Sequence, residues 1–133
     1  MSTLKVANLQ NTGSGAPTVK NSSGTEIGQF AKAWVNFNGR NTPSIRDDFN
    51  VSSITDLGTG KYKINFTNAL ANANYAIGGS AAELGSTGFN DVFFGAGRAN
   101  NYGDIQTTTF CTVTCSTSSH VDRDIIMAII FGD

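Results

Sequence analysis

SITDLGTGKYKINF, residues 53–66, reads as a β-hairpin. Tyr62, Ile64 and Phe66 fall on one side of an extended chain and Lys61, Lys63 and Asn65 on the other, the period of two that a half-buried strand shows. Between the arms, LGTG supplies glycines able to take positive φ. This stretch commits the middle of the chain to antiparallel sheet.

The same alternation extends in both directions. Upstream, Ala31, Ala33, Val35 and Phe37 share one side of a strand that ends in the turn NFNGRNTPS. Ile45, Asp47, Phe49 and Val51 continue in a single register, and Ile54 falls on the opposite parity, which predicts a bulge at Ser52–Ser53. Downstream, strands are predicted over Asn74–Gly78, Asn90–Ala96, Asp104–Ser116 and Arg123–Phe131, with room for one helical turn at Asn68–Ala73. Short strands at spacings near ten residues predict an all-β chain, an antiparallel β-sandwich or a related small barrel.

In the last strand, DIIMAIIF, Ile125, Met127, Ile129 and Phe131 lie on one face and Ile126, Ala128 and Ile130 on the other. Both faces are apolar. A strand with one face in water would alternate, so the second face is expected to be covered, by the other sheet's edge or by a neighbouring subunit.

Residues 1–29 are a different kind of sequence, with Leu4, Val6, Leu9, Val19 and Ile27 scattered among NTGSG and NSSGT. That is too little apolar surface to fold alone. The division expected is an extended N-terminal stem or attachment segment, 1–29, and a β-sandwich head, 30–133. Leu4, Val6, Leu9, Val19 and Ile27, with Ile126 and Ile130 of the last strand, form the expected assembly surface.

Composition narrows the function. Charged residues are 14% of the 133, well under the ~25% of ordinary soluble domains. A net charge of −1 provides no electrostatic footprint for nucleic acid. No apolar run approaches the length of a membrane span, and MSTLKVANLQ lacks the order of a signal peptide, so synthesis in a cytoplasm is expected. Cys111 and Cys115, four residues apart in a strand, would stand about 13 Å apart, beyond disulfide reach. They are expected to be small half-buried thiols.

Catalytic constellations are missing. His120 is the sole histidine, in STSSHVDRD; on an extended strand it would share a face with Asp122 and Asp124, but the Ser-rich approach reads as an exposed hairpin tip. Asp47 and Asp48 are adjacent and point to opposite faces, so they cannot act as a carboxylate pair; Asp47 is expected inward or at an edge, beside Arg46, Arg40 or backbone amides. No GxSxG elbow or phosphate loop occurs. The expectation is a protein with no catalytic residues, no metal and no cofactor; the alternative from another class is a small glycan-processing enzyme resting on His120, Asp122 and Arg98. The best candidate binding surface is the Gly-rich ELGSTGFNDVFFGAGRANNYGDIQ, where Phe89, Asn90, Arg98, Asn100, Asn101 and Tyr102 combine aromatic faces with amide and guanidinium groups, the mix that recognises sugars.

Ala31–Gly79, AKAWVNFNGRNTPSIRDDFNVSSITDLGTGKYKINFTNALANANYAIGG, resembles a segment recurring in bacteriophage tail-fibre and related virion proteins, where AKAWVNFNG, IRxSFNVSSITD, GTGxYxxNF and ANY follow in that order. The ending IIMAIIFGD looks like the closing strand of that family, and LKVANLQNTGSGAPTVKNSSG looks like the stem before its heads. The resemblance implies a homotrimeric virion component assembled in the bacterial host cytoplasm. Its partners would be copies of itself, other virion proteins and a host-surface glycan or protein, with no membrane insertion. The likeness usually belongs to the C-terminal part of a longer fibre, whereas this chain begins about thirty residues upstream; a short fibre, a tail or head appendage and a capsid decoration protein all fit.

Overall fold

The computed structural model describes residues 3–10, 17–85, 93–97 and 105–132. It divides into two units, Met1–Phe30 and Ala31–Asp133. In the first, β1 (Val19–Lys20) and β2 (Glu26–Gly28) form a small antiparallel hairpin. Asn21 closes its turn: the side-chain oxygen accepts from the amides of Ser23 at 3.1 Å and Thr25 at 2.9 Å, as Asx turns do. Leu4, Val6, Leu9, Val19 and Ile27 are all exposed.

The second unit is an antiparallel β-sandwich. Its strands are β3 (Ala33–Asn38), β4 (Ser44–Phe49), β5 (Val51–Asp56), β6 (Lys61–Phe66), β7 (Ala76–Ala82), β8 (Phe93–Ala96), β9 (Phe110–Ser116) and β10 (Ile125–Phe131). One sheet runs β4-β3-β10-β7 and the other β5-β6-β9-β8. The hairpin that opened the sequence reading is β5–β6, with Ile54 opposite Ile64 and the predicted irregularity lying between Val51 and Ser53. No helix occurs among the described residues.

The core follows from the alternation. Ala33, Val35 and Phe37 of β3, Tyr62, Ile64 and Phe66 of β6, Cys111, Val113 and Cys115 of β9, and Ile126, Ala128 and Ile130 of β10 form one buried cluster. Full burial of a large apolar side chain contributes about 1.5–3 kcal/mol. Phe37 meets Tyr62 edge-on with centroids 5.2 Å apart, and Phe66 meets Tyr75 likewise at 5.9 Å; each such pair adds about 0.5–1.5 kcal/mol beyond its buried area. The thiols are fully buried, not half-buried, and burial pushes Cys111 up to about 12 and Cys115 up to about 11.

The single register expected for Ile45 to Val51 does not hold. A register shift between Asn36 and Phe37 sets Ile45 opposite Phe37, on the core side, and sets Asp47 and Phe49 opposite Asn36 and Trp34, on the outer face. Of the two placements expected for Asp47, the edge holds and the inward one does not: it is exposed on edge strand β4, where its carboxylate accepts from the Asp48 amide. Asn50, at φ 57°, then carries the chain across to the second sheet and turns Val51 into the core. Asparagine tolerates this left-handed backbone better than most residues. Its side chain also pins the corner, donating to the carbonyl of Lys32 at 3.0 Å and accepting from the amide of Asn68 at 2.8 Å.

Candidate functional site

The two sheets differ on their outer faces. On the β5-β6-β9-β8 sheet polar groups surround one outward ring: Asn65 donates to the hydroxyls of Ser53 and Thr55, both at 3.0 Å, and Lys63 lies over the ring of Phe110, 4.7 Å from its centre. A cation over an aromatic face satisfies both groups. On the β4-β3-β10-β7 sheet, one row across the strands reads Phe49, Trp34, Ile129, Gly78, and the next reads Asp47, Asn36, Met127, Ser80. Phe131 and Ala76 pair beyond the first row. Phe49 is 53% exposed, Met127 40%, Phe131 39% and Ile129 37%. No described residue of the second unit covers them.

This corrects the expected assembly surface on β10. Ile126 and Ile130 have no exposed surface, because pairing with β3 turns them inward with Phe37 and Ala33. The face left outward is that of Met127, Ile129 and Phe131. The doubly apolar strand carried the signal for an outer apolar face, but the phase is set by the partner strands. Phe49 was missed because the register shift that exposes it leaves no mark in the sequence pattern.

A charged cluster closes one end of the same sheet. Glu83, just past β7, bonds Arg40 and, at 2.9 Å, Arg123; Arg40 also meets Asp124 at 3.0 Å. Arg123 is buried, and its Nε has no partner among the described residues. The Leu84 amide and Arg40 together hold the Asp124 carboxyl below its usual range. Each of these charged groups is matched by an opposite one within the fold.

The residues considered for chemistry are likewise engaged in structure. Asp122 accepts from the Gly60 amide and lies beside the Tyr62 hydroxyl, both at 2.7 Å. That hydroxyl is also 2.9 Å from the carbonyl of Gly39, and burial first and then Asp122 raise its pKa, so the phenol stays protonated. At Gly60, with φ 65°, a Cβ would stand 2.5 Å from the carbonyl oxygen of Cys115 and from the amide nitrogen of Val121. His120 is exposed and bridges to Ser116 across the tight turn 117–119. No group of three or more metal-ligating side chains converges among the described residues.

Phe89, Asn90, Arg98, Asn100, Asn101 and Tyr102 lie outside the described residues. Gly97 and Ile105, which flank residues 98–104, both bond to Thr112. Thr112, buried on the outer side of β9, donates its hydroxyl to the carbonyl of Gly97 at 2.6 Å, and its amide donates to the carbonyl of Ile105 at 2.8 Å.

Compared with family models, curated proteins and solved structures, the chain matches none.

Proposed function

We propose that this chain is a non-enzymatic structural subunit of a bacteriophage particle, a homotrimeric short fibre or a tail or head appendage whose far end meets a host-surface glycan or protein. The observation that carries this reading is a division of labour among the residues. The motifs that resemble virion proteins are engaged in the fold, with Gly39, Asn50, Gly60 and Tyr62 each placed where a corner or close contact requires it. The large apolar groups left over are turned outward on one sheet and along residues 1–30. Such surface suits association with other chains rather than turnover of a substrate.

Residues 1–29 supply the attachment segment in this reading. A two-stranded hairpin is marginal by itself, and exposed Leu4, Val6, Leu9 and Ile27 gain by packing against neighbours. Three modest receptor sites on one head then reach useful avidity through effective concentration. Capsid decoration is the alternative within the same class, and a map of the assembled particle separates the two by location.

The test is the mass of the full chain by light scattering and native mass spectrometry. Three copies are expected at micromolar concentration. A monomer throughout that range, or new reducing ends after incubation with host polysaccharide, overturns the reading.

A further inference from the structure

We propose that Asn38–Gly39 is a site of covalent modification, where the Asn38 side chain loses ammonia to form a succinimide, and that the Arg123 carbonyl holds this reaction off while the chain is folded.

The sequence sets the chemistry. Asn38 is the one asparagine of the chain that glycine follows. With no Cβ on that glycine, its amide nitrogen reaches the asparagine side chain with the least obstruction. Base removes the Gly39 amide proton, the nitrogen bonds to Cγ of Asn38, and the Cγ–Nδ2 bond breaks, releasing ammonia that takes its proton from water. Water then opens the ring on one of its two sides. Breaking the new bond to Cγ leaves aspartate with the main chain unchanged. Breaking the bond to the main-chain carbonyl leaves isoaspartate, whose main chain runs through Cβ and Cγ and is one carbon longer. Water and hydroxide are the only co-reactants.

The structure readies one partner and blocks the other. Asn38 ends β3 and is half-buried, so water and hydroxide reach it. Its Oδ1 accepts from the Arg40 amide at 3.1 Å, which draws electron density from Cγ and makes it the better electrophile. Gly39 is buried, and its N–H donates to the carbonyl of Arg123 at 2.9 Å. Giving up that proton in the folded chain forfeits the hydrogen bond and sets a charged nitrogen against a carbonyl oxygen away from water. Gly39 is held on its other side as well, with its carbonyl 2.9 Å from the Tyr62 hydroxyl. Reaction therefore passes through an opened turn, at the unfolded rate multiplied by the fraction open. That fraction depends on Arg123, whose side chain Glu83 holds at 2.9 Å.

The two products have different fates. Aspartate at 38 still offers an oxygen to the Arg40 amide, so that chain recloses. Isoaspartate does not fit. A single carbon added at Gly39 would already stand 2.5 Å from the Ile126 side chain and from the Tyr62 hydroxyl, and a close-packed interior has no room there for a longer main chain. Each opening that ends in isoaspartate removes one copy from the folded population.

The test follows Asn38 in the full chain at mildly alkaline pH by peptide mapping, with mass spectrometry and isoaspartyl methyltransferase separating asparagine, aspartate and isoaspartate. In denaturing urea, Asn38 is expected to convert ahead of every other asparagine. In buffer it should convert at least about tenfold more slowly, and Glu83→Gln should recover much of that difference. Urea raised stepwise below the unfolding midpoint of the unmodified chain should speed conversion without any substitution. When the aged urea sample is diluted, the refolded fraction should carry aspartate and be depleted of isoaspartate. Folded and unfolded chains converting within about twofold of each other overturn the protection. A folded-state rate unmoved by both Glu83→Gln and urea overturns the role of the Arg123 contact. Isoaspartate in the refolded fraction at its share of the whole overturns its exclusion from the fold.

Discussion

Replacing Glu83 with Gln tests how the open end of the β4-β3-β10-β7 sheet is held. The Arg123 side chain is 6% exposed, and its contact with Glu83 at 2.9 Å is its one ion pair among the described residues. Its Nε is already without a partner among the described residues. Removing the Glu83 charge would leave a buried guanidinium uncompensated, a change that costs about 3–5 kcal/mol when both partners are dry. Glu83 is 29% exposed, so water can approach the site and the cost falls to about 2–3 kcal/mol. At roughly 3–5 °C per kcal/mol for a domain of this size, the midpoint should drop by about 10 °C. Urea titration and a thermal scan at neutral pH read this directly. Adding Arg123→Met should return at least half of the loss, because an apolar pair of similar volume needs no charge partner. A Glu83→Gln protein within about 0.5 kcal/mol of the unmodified chain, or a double variant no more stable than the single one, would refute the reasoning.

Three other perturbations probe separate features. Asn50→Ala should cost about 2–3 kcal/mol by urea denaturation, from the left-handed backbone and the lost corner bonds, whereas Asn50→Gly should cost less because it keeps the backbone conformation. Gly60→Ala should be at least as damaging as Asn50→Ala, since the added carbon meets backbone atoms that cannot move aside. Stability should also fall at alkaline pH: the folded-state pKa values of Cys111 and Cys115 are raised to about 12 and about 11, so their contribution is whole below about pH 8.5 and is lost as pH rises toward those values. Tyr62 and Tyr75, also raised, act in the same direction at higher pH. At neutral pH neither thiol should react with a thiol reagent until denaturant is added.

The hairpin and the core faces were legible because period-two alternation in Ala33–Phe37 and Tyr62–Phe66 needs no knowledge of the partner strand. The orientation of β10 was not legible. With both faces apolar, its phase depends on β3, nearly ninety residues away in sequence, and Ile126 and Ile130 could be placed inward only once that pairing was known. Asp122 and Asp124 illustrate the same limit. Along the chain they share a strand face with His120, but in the fold Asp122 turns to Gly60 and Tyr62 while Asp124 turns to Arg40 and Leu84. The register shift at β4 set Asp47 and Phe49 on the outer face and the corner at Asn50 turned Val51 inward, and neither leaves a compositional signal.

The anchoring at Thr112 ties together two points of the chain. The Thr112 hydroxyl holds Gly97 and the Thr112 amide holds Ile105, so two points eight positions apart in the chain share one residue of β9 as their support, and their spacing is set by that strand.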